Sequence, residues 1–380
     1  MGFTITTRDA TAGDRRGTVY LLADDAGTCR AEVWPVLGFN CLRWQVRTAD
    51  GTWGDLLYAA PDWETNPVPT RSGHPVLFPF PNRLRDGGFT FAGKSYQLPL
   101  NESTGKHAIH GFTPRNPWRV VGTNVGADSA SITGQFTLSK DLPSARGNWP
   151  ADFSLTLTYR LTRMNGSGLV GWAKSSRPTG RAMVGLEDSA HPTNYQLTPN
   201  VLSVEAVVEC PDAEALPFGL GYHPYFCLPT APGAPADEMV LEAPVNQVWI
   251  ADGGIPTGEQ KPVPLALDFR TPRAIGTTVL DTLYTVSKPL PGQDLSTVAR
   301  LGHRSATGQL TVAVSPAFQD LLLFTPPHRR AVAIESYTCA SDAPNLAARG
   351  IDSGWQILPP GGRWAAVVEY RWNPDARPML

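Results

Sequence analysis

The stretch Phe153-Ser154-Leu155-Thr156-Leu157-Thr158-Tyr159-Arg160-Leu161 alternates large apolar side chains with polar ones. A period of two puts successive side chains on opposite faces of an extended chain, so this reads as a strand with one buried and one wet face. The rhythm recurs at Leu202, Val204, Ala206 and Val208, and again at Leu310, Val312, Val314 and Pro316. Trp364 to Trp372 reads as a last strand, and Phe89 to Tyr96 as a hairpin turning over Ala92-Gly93. The N-terminal residues read as a first strand. Few windows hold a helical period over three turns; Asp342 to Arg349 reads as a short helix or an irregular loop.

Strand patterns run almost without break from residue 17 to residue 372, with turn signals roughly every 8–15 residues. The expected fold class is all-β, one large antiparallel β-sandwich over residues 1–380. No stretch has the composition of an interdomain linker. The segment at about 163–196, with Asn-Gly-Ser-Gly and Ser-Arg-Pro-Thr-Gly, reads as a long excursion or lid, and Pro229 to Ala236 as a second rich loop. No fixed period repeats, which disfavours a propeller.

Composition agrees. The 36 Gly and 36 Pro approach a fifth of the 380 residues and favour strands joined by turns over long helices. Apolar residues make up 42% and charged ones only 17%, enough for a sizeable core. A net charge of -2 with no basic face argues against a nucleic-acid partner. No run approaches the roughly 18 apolar residues of a membrane span. The N-terminus lacks the apolar core of a signal peptide and matches the loose myristoylation pattern only at Gly2 through Thr6. Five cysteines, odd in number and without a close pair, fit neither a disulfide framework nor a zinc knuckle and point to a reducing, cytoplasmic setting.

Four segments offer polar chemistry that packing does not explain: Gly73-His74-Pro75 through Asn82-Arg83, His107 to Phe112, Gly221 to Phe226, and Ile334-Glu335-Ser336-Tyr337. Histidine's ordinary pKa of about 6.5 lets His223 give or take a proton near neutrality, and the aromatics and glycines around it, Tyr225 among them, suit a sugar-stacking wall. A core histidine satisfied by a backbone carbonyl is the plainer alternative. Glu335 follows the apolar run Ala331 to Ile334. Buried there, its pKa would rise above about 4.3 and make it a better base, unless Arg329 or Arg330 pairs with it. His107 and His110 would face opposite sides of a strand, so one can enter a site while the other packs. Arg83, after the turn signal Pro81-Asn82, can donate to sugar hydroxyls or stand solvated on the surface. Asp268 and Asp281 can each hold a hydroxyl or cap a turn. A histidine-bound metal would need His107 and His110 on one centre with His223 or Glu335, and without a fixed His-x-His strand pattern no metal is expected.

Taken in order, these segments resemble the aldose 1-epimerase (galactose mutarotase-like) family. The resemblance runs through Gly73 to Pro79 with Asn82-Arg83, the strand-turn Gly87 to Leu98, His107 to Trp118, Pro217 to Phe226, Asp268 to Tyr284, and Ile334-Glu335 to Gly361. It implies a galactose mutarotase-like supersandwich and cofactor-free mutarotation of a hexose. Glu335 is then the general base at the anomeric hydroxyl and His223 the general acid at the ring oxygen. His110, Arg83 and Asp281 position the sugar, with Asn82 and Tyr225 beside them. The implied partner is a small sugar, and the implied protein a monomer or homodimer that binds neither nucleic acid nor membrane.

Where strict galactose mutarotases carry a paired glycine after the first histidine, His110 is followed by Gly111-Phe112, which resembles the broader bacterial branch. Three other readings stand beside this one. A hexose-6-phosphate 1-epimerase would need basic residues, for which Arg85, Arg115 and Lys106 are candidates. A non-catalytic carbohydrate-binding protein would need no proton-transfer pair. A glycoside hydrolase would need a second carboxylate about 5–10 Å from the first.

Overall fold

A computed structural model describes residues 2–48, 51–68, 70–163, 199–230, 236–286 and 294–380. Beyond Arg163, the long excursion lies outside the described residues, as does most of the second rich loop.

The predicted strands are present. Ser154–Arg163, Asn200–Glu209, Gln309–Val314 and Arg363–Asn373 all belong to one antiparallel sheet of nine strands. The alternation read from the sequence is the burial pattern observed. Leu155, Leu157, Tyr159 and Leu161 are fully buried, while the threonines and Arg160 between them are partly open. Burying each such side chain contributes about 1.5–3 kcal/mol.

An eight-stranded sheet shares the same core and includes Asp281–Val286, Asp320–Phe324, Ala331–Tyr337, Gly221–Tyr222, Tyr225–Cys227 and Val76–Leu77. A five-stranded meander, Phe3–Ala12 through Trp53–Asp55, leads the chain. Asp24 ties it to the nine-stranded sheet through a 2.8 Å ion pair with Arg163. The hairpin Gly88–Phe91 with Lys94–Gln97 turns over Ala92 and Gly93, both left-handed at φ 48° and 76°, the pairing a tight two-residue hairpin requires. Ala343–Ala348 is a short helix. No helix among the described residues is long and apolar enough to cross a membrane.

His74 belongs to this core rather than to a reactive site. Its ring is fully buried between the hydroxyls of Tyr159, 2.9 Å from Nδ1, and Tyr370, 2.8 Å from Nε2. The Tyr159 hydroxyl also donates to the His74 carbonyl, so Nδ1 carries the proton and Tyr370 donates to Nε2. The neutral imidazole thereby ties the segment leading into Val76–Leu77 to two strands of the nine-stranded sheet, and burial lowers its pKa to about 3.

The unfolded chain takes up a proton at His74 below about pH 6.5 and the folded one does not, so stability falls as pH drops from there toward 3. Between pH 6.5 and 5 this one site should account for about 2 kcal/mol of lost stability. Urea unfolding of wild type and His74→Asn at both pH values checks it; the variant should show the smaller acid loss.

Candidate active site

The strand Ala331–Tyr337 is buried along its whole length. It lies inside the eight-stranded sheet, with Asp320–Phe324 on one side and Tyr225–Cys227 and Gly221–Tyr222 on the other. Val332 and Ile334 enter the main core, while Ala331, Ala333, Glu335 and Tyr337 take the opposite face. Glu335 therefore stands in mid-strand, 1% exposed. The surface ion pair that would have explained it is absent: Arg329 donates to the Gly276 and Thr278 carbonyls, and Arg330 to the Tyr58 hydroxyl.

Two groups meet the buried carboxylate. Tyr337, two residues on, donates its hydroxyl to Oε2 at 2.5 Å. His223 brings Nε2 to 3.3 Å from Oε1. His223 is held by its own N–H to the Pro75 carbonyl and by the Tyr225 N–H to Gly73, and its ring stacks on Tyr225 at 4.5 Å. The Tyr225 hydroxyl lies 3.2 Å from His223 Nε2 and donates to the Thr70 carbonyl.

Burial raises the Glu335 pKa well above the carboxylate range; the Tyr337 hydrogen bond opposes this and the Asp281 charge adds to it. Burial lowers His223 to about 3. Both shifts disfavour charge that is not shared. The pair is best satisfied holding one proton between its two members, an electroneutral unit able to accept at one atom and donate at the other.

His110 approaches from a second segment, its ring 5.6 Å from that of His223. Its backbone is left-handed at φ 65° and Gly111 follows at 64°. A Cβ on Gly111 would stand 2.1 Å from the Phe78 carbonyl oxygen, so only glycine lets the chain pass there. His110 Nδ1 accepts the Asn82 backbone N–H at 3.2 Å, which leaves the proton on Nε2. Burial, then the charges of His223, Arg115 and Arg83, hold its pKa well below the ordinary value. His110 is thus a neutral donor.

Arg83 is fixed by Glu102, at 2.5 Å from Nε, and by the Asn82 side-chain oxygen. Asn101 clamps both backbone groups of Ile109, next to His110.

His223, Tyr225, His110 and Arg83 all line one open cavity of about 760 Å³, with Glu335 just behind its surface. Asn82 is a buried buttress rather than a wall. Asp281 begins its strand exposed and outside the lining, yet its charge reaches Glu335, Tyr225 and Tyr337. Asp268 is taken up by Arg270 and does not reach the site. His107 accepts the Asp86 N–H, away from the cavity. Of the basic candidates only Arg115 lines the cavity; Arg85 pairs with Asp342, and Lys106 stands exposed outside it.

Sequence reasoning missed Glu102, Tyr58, Arg71, His328 and the part played by Tyr337. Period two from Glu335 would have flagged Tyr337; nothing local marks the others. Among the described residues, no group of three or more His, Cys, Asp or Glu side chains could hold a metal ion.

A model of the aldose 1-epimerase family matches residues 19–171 and 193–371, and the chain belongs to that family. An uncharacterized protein of Escherichia coli K12, YihR, is 24% identical over 278 residues, covering 73% of this chain and 72% of its own. Among solved structures, a galactose mutarotase-like protein from Clostridium acetobutylicum superposes with a TM-score of 0.77 at 20% identity, over 98% of this chain and 99% of that one. A galactose 1-epimerase from Lactobacillus acidophilus NCFM gives 0.70 at 16%, over 98% and 99%. These likenesses show the galactose mutarotase-like fold.

Because the Tyr337 hydroxyl stabilises the ionised form of Glu335, Tyr337→Phe should raise the Glu335 pKa further. A carboxyl-carbon NMR titration with labelled glutamate checks the direction; an unmoved or lowered value would remove Tyr337 from the site.

Proposed function

We propose that the chain catalyses the interconversion of the α and β anomers of a hexose by opening and closing its ring. The observation that carries this reading is the buried Glu335–His223 contact of 3.3 Å at the wall of a sugar-sized cavity. Ring opening needs one proton removed and one supplied at two oxygens on the same carbon, and a pair sharing a single proton has that capacity.

Glu335 takes the proton from the anomeric hydroxyl, the C1–O1 bond becomes a carbonyl, and the bond from C1 to the ring oxygen breaks. His223 Nε2 protonates that oxygen. Rotation about C1–C2 presents the other carbonyl face. Reversal returns both protons and closes the opposite anomer, so no atom is gained or lost. Tyr337 stabilises the carboxylate before the transfer. His110 donates from Nε2 to a sugar oxygen, and Arg83, held by Glu102 and Asn82, offers its remaining donors to hydroxyls. Tyr225 backs the imidazole and gives the sugar a flat wall. Asp281 stands outside the cavity lining, and its part in this reading is the charge it exerts on Glu335.

Hydrolysis is less well supported, since a second acid would have to stand free beside Glu335. Of the two carboxylates that line the cavity, Glu102 is engaged by Arg83 and Thr104, and Asp62 accepts from Asn66 in the open.

Polarimetry on freshly dissolved α-aldoses, corrected for the spontaneous rate, tests the assignment. Glu335→Gln and His223→Asn should each lower kcat by at least about 10²-fold with the fold retained. A change below threefold in either would reassign that role. Treatment with EDTA should leave the rate unchanged.

A further inference from the structure

The cavity lining carries more positive charge than an uncharged sugar needs. Four arginines, Arg71, Arg83, Arg115 and Arg330, face it against two carboxylates, Asp62 and Glu102, although the whole chain has a net charge of -2. Arg83 and Glu102 neutralise each other. The other three guanidinium groups have no carboxylate within ion-pair distance among the described residues. Arg330 donates to the Tyr58 hydroxyl and lies over that ring at 5.4 Å. Arg115, half-buried, donates only to the Ile109 carbonyl among the described residues. Arg71 makes no side-chain hydrogen bond or ion pair among the described residues. With Glu102 paired, Asp62 is the remaining carboxylate on the described lining; Asp281 stands outside it.

Two of these arginines share a wall. The Tyr58 N–H donates to the Tyr225 carbonyl, and the Gly73 N–H to the Tyr58 carbonyl, so Tyr58, Tyr225 and the strap from Thr70 to Gly73 are stitched together. Arg330 reaches this unit through the Tyr58 hydroxyl. Arg71 belongs to the strap, and its charge is felt at the Tyr225 hydroxyl, which in turn lies 3.2 Å from His223 Nε2. Arg115 stands on the His110 side.

We infer that the substrate is a hexose bearing an anionic group away from its anomeric carbon, with Arg71 and Arg330 receiving that anion beside the Tyr58–Tyr225 wall. This rests on the anomerase reading and names its substrate class. The shared chemistry is an anionic oxygen cluster, whether phosphate, sulfonate or carboxylate, which guanidinium forks recognise by charge-assisted hydrogen bonds. The sugar ring then spans from the mouth to the proton-transfer pair. Arg115 adds field rather than a contact. Arg85 and Lys106 take no part.

The test is anomer exchange at equilibrium, followed by NMR saturation transfer, with glucose, glucose 6-phosphate, the 6-sulfonate and glucuronate. The proteins compared are wild type, Arg71→Gln, Arg330→Gln and the double variant, each with its melting temperature checked. At low salt, at least one charged sugar should exceed glucose in kcat/KM by about tenfold or more, with the three anions separating the possible sources. Each single variant should lower that charged-to-neutral ratio, the double variant by about tenfold and mainly through KM. Added salt should narrow the gap.

Turnover of charged and neutral sugars within threefold of one another would overturn the inference and leave the anomerase reading standing. So would a ratio unmoved in the double variant. Conversely, no turnover of any sugar would sink the anomerase reading. The inference would then survive only if Glu335→Gln bound glucose 6-phosphate more tightly than glucose, with that difference lost in Arg71→Gln.

Discussion

A carboxylate set in the middle of a strand that water does not reach governs the rest of the site. Left alone, ionised Glu335 would cost several kcal/mol to bury, and the fold must either neutralise it or surround it with donors. It does both. Tyr337 supplies a short hydrogen bond from the same strand face, and His223 supplies a shareable proton from the neighbouring segment. The two strand positions before Glu335 on that face, Ala331 and Ala333, are small. Tyr225 and Phe324, both paired with Ala333 on the flanking strands, rise beside it to form part of the cavity wall.

Register makes this arrangement exact enough for chemistry. Gly221 pairs with Tyr337 and Tyr225 with Ala333, and that double anchoring sets His223 opposite Glu335. A slip of one residue would present Ile334 or Ser336 in place of Glu335 and turn the carboxylate into the main core. Gly221 is itself constrained, since a Cβ there would meet Pro81 at 2.6 Å and the Tyr337 ring at 2.7 Å. Gly111 and Gly221 are therefore conditions of close approach, the first to the Phe78 carbonyl and the second to the Tyr337 ring.

Local pattern made much of this legible, and its limits are physical. Strand alternation at Phe153 to Leu161 is a nearest-neighbour property and survives translation into three dimensions without knowledge of partners. Glu335 and His223 stood out because a charged or titratable group beside an apolar run is conspicuous in one dimension. The resemblance to a family added their roles, which residue types alone left open. What stayed hidden depends on long-range closure. Glu102 meets Arg83 across 19 positions, and Arg330 meets Tyr58 across 272. His74 precedes a proline in the first of the four segments, and nothing local to it points to its partners Tyr159 and Tyr370, 85 and 296 positions away. Asp268 and Asp281 were indistinguishable by composition. The nearby Arg270 engages the first, whereas strand pairing with Phe324 brings the second within electrostatic range of Glu335.

The cavity is consequently layered by dielectric. Its inner end, at Glu335, His223 and His110, is nearly free of water, so one shared proton is a strong interaction and any net charge is penalised. Its outer rim, at Arg71 and Arg330, is open, so charge there is cheap to keep but weakened by solvent and salt. A neutral ring with a charge at one end matches that gradient. The uncharged anomeric carbon can enter the dry end without a desolvation penalty for an ion, while the anion stays where water and guanidinium groups can both reach it. Reversing the orientation would drive an anion against Glu335 at the dry end, where water cannot screen the repulsion. On the proposed reading, the gradient that tunes the Glu335–His223 pair also orients the substrate.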